Sequence, residues 1–370
     1  MYIDDEVENS GSPVIKVIGV GGGGGNAINR MVDNDVKGVQ FVAMNTDAQV
    51  LKLSRANVKV QLGKQLTRGL GAGAKPEIGR QSALESEAKI REVLAKTEMV
   101  FITAGMGGGT GTGAAPVIAK ISKEMGILTI GIVTKPFKFE GPRRMSNALK
   151  GIEELKKNVD TLIIIPNENL LSEIDPTTPM LQAFREVDNV LRRVVQGISE
   201  LISLPGLINV DFADISTVIR DKGTALMGIG IADGENRAIE AARKAIHSSL
   251  LEVSIEGATD AIVNISSGVN ATLNEVKEAV NEITNSCSTE LNIIFGHTIN
   301  SDLTDEIVVY VIATGYNLKG NDDVFTQEKE EKPDASMNEW FNLDIRNGKS
   351  EEEKKEDEEK KNDLPDWLLS

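Results

Sequence analysis

The chain has 370 residues, 40% of them apolar, and a formal net charge of −16, a length that suits about two domains. The acidic balance excludes a nucleic-acid binder that works by neutralising phosphates, and about half of the excess lies beyond Lys319. A single cysteine, Cys287, and two histidines exclude an internal disulfide framework, argue against zinc and fit a reducing cytosol.

The acidic start, Met1-Tyr2-Ile3-Asp4-Asp5-Glu6, has no signal-peptide pattern. No apolar run approaches the ~18 residues that span a bilayer. The expectation is a soluble cytoplasmic protein, with no nucleic-acid partner and no direct membrane insertion.

Residues 1–12 are polar and expected to be disordered. Val14 to Val20 reads as a strand, Gly21 to Asn26 as a glycine loop, and Ala27 to Asn34 as a helix. A second strand, Val39 to Met44, ends at Asn45-Thr46-Asp47. Gly19 to Gly24 fits the dinucleotide fingerprint G-x-G-x-x-G, with Asp47 near the place of a ribose-binding acid. This opens one alternative, an NAD-dependent oxidoreductase, although five consecutive glycines satisfy many patterns.

Another glycine-rich segment, Arg68 to Pro76, precedes a long helical pattern from Pro76 to Ala95. The apolar run Met99 to Ala104 then leads into Met106-Gly107-Gly108-Gly109-Thr110-Gly111-Thr112-Gly113 and a helix from Ala114. Strand, glycine loop and helix start together make an anion clamp. The first helix amides lack partners inside the helix, the dipole adds positive charge there, and glycine lets backbone approach phosphate closely. Thr110 and Thr112 add hydroxyl donors. A Walker A loop would place Lys and Ser/Thr after its last glycine, whereas Ala114 follows Gly113, so the amides must do most of the binding.

Ile127 to Val133 reads as a buried strand, the turn Thr134 to Arg144 as its exit, and the stretch to about Lys157 as a helix. Thr161 to Ile165 is the next strand, ending at Pro166-Asn167. Strands covered on both faces and alternating with helices specify an α/β fold with a doubly wound parallel sheet. Ligands of such sheets bind beyond the carboxyl ends of the strands, so Asn26, Asn45, Gly107, Glu140 and Asn167 are expected on one rim.

Pro179 to Ile202 carries apolar residues at helical spacing and reads as a buried central helix. After a break come Asp211 and Asp214, three residues apart on one helix face. From spacing alone they are either a functional acid pair or a helix N-cap with an acid at its third position. The remainder, to about Thr314, alternates strands and helices as an α+β domain without a catalytic constellation. Beyond Gly320 lies a charge block, Glu351 to Lys361, with little to bury. The terminal Leu364-Pro365-Asp366-Trp367-Leu368 reads as a docking peptide on a tether.

Two of these segments resemble the tubulin/FtsZ family: the Gly-Gly-Gly-Thr-Gly-Thr-Gly of Gly107 to Gly113, and Asn209-Val210-Asp211-Phe212-Ala213-Asp214. The resemblance spans about residues 14–316. It implies a disordered start (1–12), a GTP-binding domain (13–178), a central helix (179–203), a catalytic loop with its following helix (204–222) and a C-terminal domain (223–318). A charged linker (319–361) and a partner-binding peptide (362–370) complete it.

Carried over residue by residue, Gly22, Gly23, Gly24, Gly25 and Asn26 resemble the first phosphate and nucleoside loop. Gly71, Ala72 and Gly73 resemble the γ-phosphate loop, near Asn45 and Asp47. Gly107, Gly108, Gly109, Thr110, Gly111, Thr112 and Gly113 would wrap the phosphates. Glu140 and Arg144 resemble ribose-side contacts, with Pro142 between them a departure from the family. Asn167 and Asp188 would read guanine while Phe184 stacks on it. Asn209, Asp211 and Asp214 would complete the nucleotide site of an adjacent subunit.

The resemblance further implies GTP hydrolysis activated by self-assembly, with Mg²⁺ neutralising phosphate charge but no dedicated protein metal cage. It implies a head-to-tail homopolymer at the division ring. Leu364, Pro365, Trp367 and Leu368 would bind membrane-tethering and regulatory division proteins, Trp367 standing where Phe is commoner. A scaffold that polymerises but hardly hydrolyses is the non-enzymatic alternative, against which Asp211 and Asp214 argue.

Overall fold

The computed structural model describes residues 13–171, 174–175, 177–203, 206–208, 210–248, 255, 257–286, 291–300 and 303–316. The N-terminal segment, Asn209, the charged linker and the peptide with Leu364, Pro365, Trp367 and Leu368 lie outside the described residues.

The first half runs β1 (Ile15–Val20), α1 (Gly21–Asp33), β2 (Gln40–Asn45), α2 (Ala48–Leu53), β3 (Val58–Gln61), α3 (Lys64–Thr67), α4 (Pro76–Glu85), α5 (Glu87–Leu94), β4 (Met99–Gly105), α6 (Thr110–Glu124) and β5 (Leu128–Lys135). A 3-10 turn at Lys138–Glu140 leads to α7 (Pro142–Lys156), β6 (Thr161–Pro166), α8 (Asn167–Leu170) and α9 (Met180–Ser203). The second half is α10 (Phe212–Ile219), β7 (Gly223–Ala232), α11 (Arg237–Ile246), β8 (Asp260–Ser267), α12 (Leu273–Asn285), β9 (Asn292–Ile299) and β10 (Ile307–Thr314).

The named strands form one sheet in the order β3-β2-β1-β4-β5-β6-β7-β10-β8-β9. Every pairing from β3 to β7 is parallel. β10 runs antiparallel between β7 and β8, and β8 pairs parallel with β9. The halves join where Thr161, Leu162 and Ile163 pair with Gly223, Thr224 and Ala225.

Alternation explains why both faces are covered. Val17 and Phe101 belong to the apolar layer shared with α1, α9 and α10, while their neighbours Ile18 and Ile102 belong to the layer under α4 to α7. Successive strand side chains point to opposite faces, so strands with no polar face need helices on both sides. The expected α/β class is the one observed. In α9, Val187, Leu191, Val194, Ile198 and Leu201 repeat at helical spacing and are buried. Each such side chain contributes roughly 1.5–3 kcal/mol on burial.

Three expectations need correction. The five glycines after Val20 form no loop, because α1 begins at Gly21. Glycine disfavours helix interiors, but close packing overrides that here: a Cβ on Gly24 would stand 2.3 Å from the Thr103 carbonyl oxygen. Likewise α6 begins at Thr110, so the second loop is only Met106 to Gly109. Third, the helix expected from Pro76 to Ala95 breaks at Ser86. There Ser86 Oγ accepts the Gly63 N–H at 3.0 Å and Glu85 accepts the Gln65 and Leu66 N–H groups at 3.0 and 3.1 Å. These long-range bonds cap α3, and sequence periodicity carries no trace of them. The elements between Asp47 and Arg68 were also unforeseen; β3 is short and half exposed, so its apolar pattern is weak.

Candidate functional site

The amino ends of α1 and α6 lie side by side. A Cβ on Gly21 would stand 2.9 Å from the Gly111 nitrogen, and Gly21 holds a φ of +74°. Two helix dipoles, each with unpaired first-turn amides, therefore converge on one place at the carboxyl ends of β1 and β4. Gly22 and Gly23 are exposed there, and Cβ positions on Gly22, Gly25 and Gly108 meet open space. Asn26 is exposed in the second turn of α1.

The loop Met106 to Gly109 is fastened on both sides. Met106 N–H donates to the Thr134 carbonyl at 3.0 Å, and Gly107 N–H donates to Thr112 Oγ1 at 2.8 Å. Thr112 is thus a strut inside the loop, although its sequence position suggests only a donor to ligand. The other signature threonine is also engaged: Thr110 Oγ1 lies 2.7 Å from Thr46 Oγ1. Thr46 was not singled out from sequence, and its place directly after a strand was the available signal.

Most signature glycines answer to packing. A Cβ on Gly113 would stand 1.9 Å from the Pro76 carbonyl oxygen, and one on Gly109 would stand 2.8 Å from the Ala72 Cβ. The segment Gly71, Ala72 and Gly73 is thereby held against the Met106 to Gly109 loop. It is anchored behind by Gly71 N–H donating to the Thr46 carbonyl at 3.3 Å.

Asn45 and Asp47 serve this corner locally. Asn45 Oδ1 accepts the Asp47 N–H at 3.1 Å. Asp47 Oδ1 accepts the Gln49 and Val50 N–H groups at 2.8 and 3.1 Å, as the N-cap of α2.

On the next strand ends, Glu140 Oε1 accepts the Phe137 N–H at 2.9 Å and Glu140 Oε2 pairs with Arg144 at 2.9 Å. Pro142 opens α7 at its first position, where a missing N–H is harmless. The departure at Pro142 therefore starts the helix that carries Arg144. Arg144 also backs the signature loop, since a Cβ on Gly107 would stand 2.7 Å from its carbonyl oxygen.

The aromatic group is built around Phe137, which stacks on Phe139 at 5.0 Å and meets Phe184 edge-on at 5.4 Å. Asn167 follows β6 and is 5% exposed, and its Oδ1 is buried without a hydrogen-bond partner among the described residues. An orphaned acceptor at this depth costs about 1–3 kcal/mol unless a ligand donor satisfies it. Asp188 projects from the first half of α9. Burial pushes its carboxyl up to about 6, opposed by the Arg30 guanidinium of α1.

Asp211 and Asp214 stand apart from this rim. Asp211 Oδ1 accepts the Asp214 N–H at 2.8 Å, so it caps α10, and both acids are exposed. From Asp188 to Ser203 helix α9 carries the chain about 22 Å. Ser203 Oγ then donates to the Gly38 carbonyl at 3.4 Å, before the start of β2. At the far end of α10, the Ile219 carbonyl accepts the Thr161 hydroxyl at 2.5 Å, at the start of β6. Both flanks of the acid segment are tied to the amino edge of the sheet, opposite the glycine rim.

Among the described residues no group of three His, Cys, Asp or Glu side chains could hold a metal, and no helix is long and apolar enough to cross a membrane.

Residues 14–175 match the model of the tubulin/FtsZ family GTPase domain, and residues 223–317 match that of the FtsZ family C-terminal domain. An empty FtsZ dimer from M. jannaschii is similar at 44% identity and a TM-score of 0.80, with 84% of this chain and 90% of that chain covered. A point-mutant FtsZ of the same organism is similar at 46% identity and a TM-score of 0.79, with 82% and 92% covered. CetZ2 from Haloferax volcanii, solved as a GTPγS-bound protofilament, shares the fold at 20% identity and a TM-score of 0.68, with 81% and 92% covered.

Proposed function

The chain belongs to the tubulin/FtsZ family, and on that premise we propose that it is a GTPase of the division ring whose active site is shared between successive subunits. The observation that carries this is the separation of the two functional groups. The glycine rim can cradle a polyphosphate, whereas Asp211 and Asp214 sit on a segment anchored at the opposite edge of the sheet. One chain cannot bring them together. A head-to-tail contact can, and repetition of such a heterologous contact yields an open filament. The dimer described for the M. jannaschii relative supports self-association.

In this reading the amides of Gly22, Gly23, Gly108, Gly109, Thr110 and Gly111 bind the phosphates, aided by the paired helix dipoles. Ala72 and Gly73 flank the terminal phosphate. Glu140 and Arg144 lie on the ribose side. Guanine offers N1–H and N2–H₂, and ionised Asp188 accepts both, while Phe184 supports the base and Asn167 Oδ1 takes a donor. Phosphoryl transfer asks mainly for positioning and charge compensation. Asn209, Asp211 and Asp214 of the next subunit orient the attacking water. Mg²⁺, when bound, would supply charge compensation for the phosphates; among the described residues no group of three His, Cys, Asp or Glu side chains could cage it.

Residues 319–361 act as a linker, and the terminal peptide with Leu364, Pro365, Trp367 and Leu368 recruits tethering and regulatory proteins at the cytoplasmic division site.

The test is GTP hydrolysis across a range of protein concentrations, with sedimentation of the product. Turnover per subunit should rise with concentration and follow the sedimented fraction. A specific activity independent of concentration would contradict the shared site. The match of residues 14–175 to the tubulin/FtsZ GTPase domain weighs against the oxidoreductase alternative, and Asp47 Oδ1 is already engaged as the N-cap of α2. Sedimenting polymer with little phosphate release would instead favour the scaffold.

A further inference from the structure

The segment leading into Asp211 is held by the C-terminal half of the molecule. β9 is one of the two edge strands of the sheet, and among the described residues the chain before Asp211 pairs with it once. Leu207 N–H donates to the His297 carbonyl, and His297 N–H donates to the Ile208 carbonyl, both at 3.1 Å. Gly206 permits this approach, since a Cβ there would stand 2.2 Å from the His297 carbonyl oxygen.

The other side of His297 faces inward. Its Nε2 lies 2.9 Å from Ser267 Oγ on β8, and the two residues are 4% and 0% exposed. Ser267 O–H donates to the Gly268 carbonyl at 3.2 Å, which leaves its lone pairs to receive the imidazole N–H. In that arrangement the neutral ring donates from Nε2, and burial, which lowers its proton affinity, favours the neutral form. A buried hydrogen bond of this kind holds the side chain, and with it the strand end to which 206–208 is bonded.

We infer that His297, locked by Ser267, is a positioning residue for hydrolysis: it sets the backbone of 206–208 and so the place from which Asp211 and Asp214 reach the adjacent nucleotide. This rests on the reading that those acids act in trans. Phosphoryl transfer tolerates little displacement of its water-orienting groups, whereas GTP binding at the opposite rim does not involve this bond.

The experiment compares full-length wild type with His297→Leu, Ser267→Ala, His297→Gln and Asp214→Ala. GTP titration, sedimentation and turnover per sedimented subunit are measured for each. His297→Leu and Ser267→Ala should keep GTP affinity and sedimentation within about twofold while kcat falls about tenfold with KM unchanged. His297→Gln, which restores an Nε2–H donor, should recover most of that loss. Unchanged kcat in both deletions, with Asp214→Ala inactive, would overturn the inference alone. A parallel loss of GTP affinity would also overturn it, by showing a general structural role. Normal turnover in Asp214→Ala would remove the trans reading and the inference with it.

Discussion

Thr112 Oγ1 accepts the Gly107 N–H at 2.8 Å, so the signature loop is closed by the helix it introduces. Gly107 holds a φ of +99°, a region that costs other residues strain. Its amide is turned inward, away from any ligand. Thr112→Val should leave that amide buried and unpaired, at a cost of about 1–3 kcal/mol. Denaturant titration should show the loss, and GTP affinity should fall with it. Unchanged midpoints would show that the bond contributes nothing.

Two glycines of the signature should separate cleanly. Gly113→Ala forces a Cβ to within 1.9 Å of the Pro76 carbonyl oxygen, and relieving such overpacking costs typically about 1–3 kcal/mol. Gly108→Ala meets nothing within 4 Å, and its stability should stay within about 0.5 kcal/mol of wild type. Any defect of Gly108→Ala should therefore be confined to nucleotide binding. Equal melting temperatures for the two variants would refute the division.

On the proposed reading of guanine by Asp188, specificity and pH are linked. Its carboxyl is raised from 3.8 to about 6 by burial, so the folded nucleotide-free chain holds a proton that the unfolded chain releases at lower pH. This group's contribution to stability is therefore fully present below about 3.8 and is lost as pH rises through about 6. Asp188→Asn should flatten that slope and stabilise the nucleotide-free protein at pH 7 by on the order of 1–2 kcal/mol after allowance for screening. It should also reduce preference for GTP over ATP by about 1–3 kcal/mol. Retained GTP preference in a competition titration would exclude Asp188 as the guanine reader.

The opposite sign applies to Glu275. Arg237 at 2.7 Å holds its carboxyl down to about 2, helped by bonds from the Thr272 N–H and hydroxyl at 2.8 and 2.9 Å. The stabilisation is present above the ordinary value of 4.5 and is lost as pH falls toward about 2. Glu275→Gln should cost on the order of 1–3 kcal/mol at pH 7, because Arg237 is left largely buried and poorly paired. The difference from wild type should shrink in acid denaturation below pH ~4.5; a constant difference would assign the effect to packing.

Much of the site was legible before the fold was known. Asn45, Gly107, Glu140 and Asn167 were placed at strand ends by periodicity alone; Asn45 is the last residue of β2, and the other three follow the carboxyl ends of β4, β5 and β6 in the same parallel run of the sheet. Thr46, Phe137 and His297 were not legible. The bond of Thr46 to Thr110 spans 64 residues, and that of His297 to Ser267 spans 30. Neither distance leaves a local pattern. The glycines of α1 misled for a related reason: local propensity disfavours them in a helix, and long-range approaches of the Gly111 nitrogen to Gly21, the Gly105 nitrogen to Gly23 and the Thr103 carbonyl to Gly24 leave no local pattern.

The sequence by itself determined the alternation of strands and helices, the glycine-rich stretches after two of the strands and the presence of an acid pair, because hydrophobic period and backbone chemistry are local properties. Only the tertiary structure decided which amides remain open, that Thr112 is a strut and that Asp211 and Asp214 are anchored at the far edge from the rim. Those outcomes depend on which backbone atoms approach across long stretches of chain, and such approaches are set by the packing of the whole sheet.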